Sequence, residues 1–199
     1  MTRSDTLQAL TRDTFLRLAD TLAAQPAAAW DRPSLCERWR VREVVANLSG
    51  AARYSPQEYM AEVEADGGDF NATIDRLAAR DGQRPPSTLV ADLRSDELHR
   101  WIPPGGGALG ALTHVVIHGL DVTTPLRLDC PAGDAALAAV LDALAGGLHP
   151  TFGVELDAVH LRATDLEWAW GNGRTVTATA ADLVIAMAGR APDVLRDLS

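Results

Sequence analysis

The sequence predicts a mainly α protein, a four-helix bundle followed by a small α+β unit made of an antiparallel sheet plus a helix. Three observations predict it. Up to about residue 148 the apolar residues recur at helical spacing in four long stretches, with shorter ones between them. The stretch from Ala111 to Val122 has no Lys, Arg or Glu, and its apolar residues run nearly all the way round a helix, as in a buried one. Beyond Pro150 the period falls to two, with Val159, Leu161 and Ala163 alternating with His160, Arg162 and Thr164. The predicted domains are residues 1–148 and 149–199. About fifty residues are marginal alone, so the second is expected to dock on the first.

Leu7, Leu10, Phe15, Leu18 and Leu22 predict an amphipathic helix over 5–24, capped by Ser4 or Asp5. Residues 25–40 read as an irregular connection anchored by Trp30 and Trp39. A second helix starts near Val41 and carries Val44, Val45, Leu48, Ala51 and Ala52 on one stripe, with Asn47 at its edge. Ser55-Pro56 kinks or restarts it. Residues 66–69 form a turn and 71–80 a short helix. Ser87 is expected to cap a helix running to about His99, and Trp101 to Gly107 breaks the chain. The three Gly there lack the preceding strand and following Lys of a phosphate cradle. The polar-striped helix then runs to about Pro125, and another runs from Asp134 to Leu148, ending at Gly146-Gly147. Strands are expected at 159–163, 166–170 and 174–179, with Gly171-Asn172-Gly173 as a hairpin turn. Residues 180–189 and 190–199 read as helices.

The net charge is −9, and every one of the 18 basic residues is Arg. Three of them crowd into Arg38–Arg42, which reads as the flank of a helix start. An acidic chain is disfavoured near polyphosphate, so no nucleic-acid partner is expected. No apolar run reads as a membrane span and residues 2–17 are too polar for a signal peptide, so no membrane partner is expected and the default compartment is the cytoplasm. Cys36 and Cys130 lie far apart, with no metal spacing and no disulfide framework; each reads as a small semi-buried residue. Bundles of this size occur as monomers and homodimers, and both remain open.

The chemistry lies on the apolar helix. His114, His118 and Asp121, four and three residues apart, share one face. Buried polar groups need partners. Two imidazoles one turn apart make a bidentate platform for Zn or another divalent ion, with Asp121 as third ligand or as the group that orients a His. The alternative is a pair of core histidines bonded to carbonyls, with Asp121 capping something local. His99 and His149 lie at helix ends, where a lone His is structural or solvent-exposed, and His160 is expected to face outward.

A longer pattern carries a resemblance. It comprises Trp30-x-x-Pro33-Ser34-x-Cys36-x-x-Trp39-x-Val41-Arg42-Glu43-Val44-Val45-Ala46-Asn47-Leu48, His114 to Asp121, Trp168-x-Trp170-Gly171-x-Gly173, and Ala180 to Arg190. Together these resemble the mycothiol-dependent maleylpyruvate isomerase family, relatives of the DinB- and YfiT-like metalloenzymes. The resemblance implies a DinB-like four-helix bundle holding a divalent metal, usually zinc, at one end, and mycothiol as the thiol co-substrate bound to it as thiolate. It implies a metal-dependent S-transferase or isomerase acting on a small electrophile. Carried over by position, the metal ligands are Asn47, His114 and His118, and Arg190 matches an Arg able to bind a substrate carboxylate. With Asp121 it makes the catalytic pair.

The family has His where this chain has Asn47. An amide oxygen is a weaker zinc ligand than imidazole. Either Asn47 coordinates weakly or through water, or Asp121 completes the site, or the metal site is lost. The last leaves a non-catalytic, vestigial small-molecule-binding protein on the same fold.

Overall fold

The computed structural model describes residues 2–190. Of the expected helix at 190–199 all but Arg190 lies outside them. Helix α1 (Arg3–Ala23) begins two residues earlier than the sequence suggests, because Thr2 and Asp5 form a reciprocal capping box. Helix α2 (Val41–Leu48) starts where Glu43 accepts the Arg40 backbone N–H at 2.8 Å. It stops short of Ala52, where a single 3-10 turn covers Gly50–Ala52. At the stop the Ser49 hydroxyl bonds the Val45 carbonyl, competing with the helix ladder. Ser55 caps a new helix, α3 (Pro56–Ala65), with Pro56 at its first position, so the chain restarts there. Asp69 caps α4 (Phe70–Asp81).

The expected helix from Ser87 to His99 is two helices. α5 (Pro86–Leu93) starts on Pro86, not on a Ser87 cap, and Ser95 caps α6 (Asp96–Arg100) after a break. His99 is not solvent-exposed: it stacks on Phe15 at 5.7 Å and its Nε2 lies 2.9 Å from the Leu93 carbonyl. Helices α1, α7 (Gly107–Leu126), α2 and α5 form the four-helix bundle in that cyclic order, each packing on the next. The apolar residues Leu112, Val115, Val116, Leu120 and Val122 of α7 are all buried, as their all-round distribution requires.

Helix α8 (Asp134–Ala143) packs on α7 and α1 and is followed by a wide turn over Leu144–Leu148 with Gly147 at φ +119°. By length and composition the stretch Asp134–Phe152, mean hydropathy 1.3, could cross a membrane. Its Ala136, Leu137, Val140, Leu141 and Leu144 are instead buried in the core, which continues unbroken to Leu161, Val176 and Leu183 of the C-terminal region.

That region contains β1 (Val159–Ala163), β2 (Ala169–Gly171), β3 (Arg174–Ala178) and α9 (Ala180–Met187). The sheet is mixed, not antiparallel. β1 is central, antiparallel to β2 and parallel to β3. The expected hairpin is therefore a crossing: the chain leaves β2 at Gly171 and passes the start of β1 to reach its other edge. Two glycines permit this. A Cβ on Gly173 (φ +127°) would stand 2.1 Å from the Ala158 carbonyl oxygen, and one on Gly171 2.4 Å from that of Val159. Gly173→Ala is expected to lower the free energy of unfolding in urea by about 1–3 kcal/mol; no measurable loss would mean that the crossing is not held this closely.

Candidate functional site

The site joins α7 to the loop that precedes α2. On α7 the predicted stripe lies on one face. His114 and His118 meet edge to face with ring centroids 4.8 Å apart. His118 Nδ1 lies 2.9 Å from Asp121 Oδ2, and Asp121 is 1% exposed. Trp101 stands 5.6 Å from His114 and Trp39 stands 6.5 Å from His118, ring to ring, so both imidazoles have an aromatic neighbour from outside the helix.

The residue that sequence reasoning placed outside the chemistry is Cys36. Its thiol donates to Asp121 Oδ2 at 3.0 Å and lies 4.0 Å from His118 Nδ1. A covalent fact explains the placement. Pro125 sits in the last turn of α7 and has no N–H, so it cannot bond the carbonyl of Asp121, four residues earlier. The backbone N–H of Leu35 takes that carbonyl at 3.0 Å. The next residue is Cys36, and its own N–H is held by the Ser34 hydroxyl at 3.0 Å while that hydroxyl donates to the Trp39 carbonyl at 2.7 Å. The loop is thus stapled to the same residue that its thiol touches.

Arg190 arrives from the other side. Gly189, at φ +74°, ends α9 and passes close to the Phe152 backbone, which turns Arg190 toward the bundle. Its Nε donates to Asp121 Oδ1 at 3.1 Å and its Nη2 to Oδ2 at 3.4 Å; Nη1 donates to the Ala188 carbonyl, and the guanidinium lies over the Phe152 ring. The carboxylate-binding group implied by the resemblance therefore grips a carboxylate of this chain. Asn47 lies one residue before the end of α2, which packs on α7, but among the described residues its amide has no hydrogen-bond partner. It is not joined to the cluster.

The electrostatics follow from burial. Burial opposes the charge of Asp121, but the hydrogen bond and charge of His118, with the Arg190 guanidinium, outweigh it and hold the carboxyl below its ordinary value. Burial, reinforced by the Asp121 charge, pushes the Cys36 thiol up to about 12, so without a cation it is protonated at neutral pH. Burial, then the neighbouring His118, pushes His114 down to about 3; its Nδ1 is shut off from solvent and has no partner among the described residues. His114 is therefore neutral when folded and takes a proton when unfolded, near its ordinary 6.5. The unfolded chain binds more protons, so metal-free stability is present above pH 6.5 and drains away as pH falls toward 3. In His114→Phe, urea melts at successive pH values should show a shallower decline across that window; an unchanged slope would place the proton elsewhere.

Cys36, His118 and Asp121 offer three ligand atoms, all within 4.8 Å of one another. Thiolate, imidazole and carboxylate are zinc-type donors, and three of them leave a position for a substrate. The donor chemistry fits a divalent ion. Two surface cavities, of about 380 Å³ beside Arg12 and His99 and about 320 Å³ beside Arg40 and Glu43, hold none of these three residues, although Trp39 borders the second.

Residues 11–100 match the family model described as the mycothiol maleylpyruvate isomerase N-terminal domain. A crystal structure of a His-to-Ala mutant of the mycothiol-dependent maleylpyruvate isomerase superposes with a TM-score of 0.60 at 15% identity, covering 96% of this chain and 91% of that one. Another crystal structure of the mycothiol-dependent maleylpyruvate isomerase gives 0.51 at 15% identity, covering 95% and 90%. At that identity the likeness is one of fold. No curated protein matches the sequence.

Proposed function

We propose, from the match of residues 11–100 to the mycothiol maleylpyruvate isomerase N-terminal domain model, that this chain is a thiol-dependent isomerase or S-transferase. Its substrate is a small electrophile and its co-substrate a mycothiol-type thiol. The observation that supports the reading is the convergence of His118, Asp121 and Arg190 on one buried point, with His114 against His118.

A divalent ion at this centre, on the histidine pair with Asn47 or another donor of this cluster completing it, would stabilise the co-substrate as its thiolate. Without an ion, Asp121 holds His118 in one tautomer, with the Nδ1–H donated to the carboxylate and Nε2 left as the basic nitrogen. Arg190 fixes Asp121 and adds positive charge beside the centre, where an anionic substrate gains from it. The thiolate adds to a conjugated double bond of the substrate, the bond becomes single and rotates, and expulsion of the same thiolate restores it. No atom is gained or lost. In this reading residues 1–148 supply the helical frame and residues 149–199 the arginine.

The second reading, a non-catalytic binding protein, draws on Asn47, whose amide has no partner among the described residues. Incubation of maleylpyruvate with the purified chain, with and without mycothiol, separates them. Mycothiol-dependent isomerisation supports the enzyme. No turnover with maleylpyruvate or with other small conjugated acids, with divalent ions supplied, favours the binding protein.

A further inference from the structure

We propose that this chain has moved its metal centre, so that a thiophilic divalent ion is held by Cys36 Sγ, His118 and Asp121 Oδ2, and Asn47 takes no part. The inference rests on the reading above only in requiring an ion at the centre. Three observations carry it. The three donors come from two separate segments and already converge on one another without an ion, at 2.9 Å, 3.0 Å and 4.0 Å. Tetrahedral bonds of roughly 2.0–2.3 Å place donor atoms about 3.5 Å apart, so an ion requires shifts of only about half an ångström. Asn47, by contrast, has no bond to the cluster.

The oxygens of Asp121 are also divided in the way such a site needs. Oδ2 faces both Cys36 and His118 and takes only a long 3.4 Å contact from Arg190 Nη2, while Oδ1 takes the Nε–H of Arg190 at 3.1 Å. The carboxylate can therefore bind an ion through one oxygen and keep its orienting partner on the other. The charges close as well. When the ion enters, the Cys36 S–H bond breaks, a sulfur–metal bond forms and that proton passes to solvent, while the imidazole proton leaves Nδ1 and the ring takes one from solvent at Nε2, so that Nδ1 is free to bind. Thiolate and carboxylate then neutralise a divalent ion, with the neutral His118 imidazole as third donor. A thiolate selects zinc, cobalt or cadmium over magnesium or manganese.

Cobalt(II) titration of the tag-free, metal-stripped chain tests this, because a cobalt–thiolate bond gives an intense near-ultraviolet charge-transfer band. The natural chain, Cys130→Ser and Asn47→Ala should all show the band. Cys36→Ser should lose it and bind cobalt at least tenfold more weakly, in line with the loss of an inner donor. Circular dichroism of Cys36→Ser and Cys36→Ala establishes that a lost band is not lost fold, and if both unfold, loss of the band after alkylation of Cys36 in the natural chain decides. Cobalt bound without the band, or a band that survives in Cys36→Ser, overturns the Cys36 centre and leaves the thiol-dependent function standing. No cobalt bound by the natural chain overturns the centre, and mycothiol-dependent turnover then decides the function separately.

Discussion

Asp121→Ala is expected to cost the metal-free chain about 3 kcal/mol of unfolding free energy. Removing one partner of a buried ion pair costs about 3–5 kcal/mol, because the other charge is left uncompensated. The low end applies because the Arg190 side chain keeps 19% of its exposure and two further contacts, with the Ala188 carbonyl and the Phe152 ring. The loss has a second source: Cys36 and His118 both lose their acceptor in a site 1% exposed at Asp121. Asp121→Asn, which keeps the shape and one acceptor oxygen for Arg190, should cost less than half as much. Urea denaturation measures both. A loss below about 1 kcal/mol for Asp121→Ala would mean that the cluster contributes nothing net to folding, and that its charges are arranged for chemistry alone.

His118→Ala should leave the fold intact and remove function. His118 is the single side chain shared by the ligand set implied by the resemblance and the set the geometry brings together. Its side chain is 15% exposed, so truncation opens little of the core. Metal affinity and mycothiol-dependent turnover should each fall by at least about a hundredfold, the upper end of what losing even an outer partner of a metal ligand costs. Titration of zinc against a competing chelator and steady-state turnover read the two effects. Turnover within a few-fold of the natural chain would dismiss the centre as the place where the reaction occurs.

Much of the helical frame was legible from spacing, because burial on one face imposes a period that the sequence must carry. Val41 to Leu48 and Ala111 to Val122 show this, and so does the change of period at Val159. What failed was local. Thr2 won the first cap because Asp5 could reciprocate. The helix from Ser87 broke at Ser95 because a second capping residue lay within it. The pattern Gly171-Asn172-Gly173 predicts a hairpin turn, yet the same residues also permit a close crossing past a neighbouring strand. Both uses need positive φ, and only the partner strand distinguishes them.

The sequence by itself determined that a buried helix would carry His114, His118 and Asp121 on one face, since a 3.6-residue period leaves no other arrangement. It also contained the clue to the missing member, because Pro125 stands four residues after Asp121 and leaves that carbonyl unbonded. It could not say which N–H would take the carbonyl. Tertiary structure decided that it would be Leu35, and so brought Cys36 to within 3.0 Å of Asp121 across 85 residues of chain. It likewise turned Arg190 onto the same carboxylate and left Asn47 outside the cluster. Periodicity constrains neighbours on one element; contacts between elements depend on which unsatisfied groups meet when the core closes.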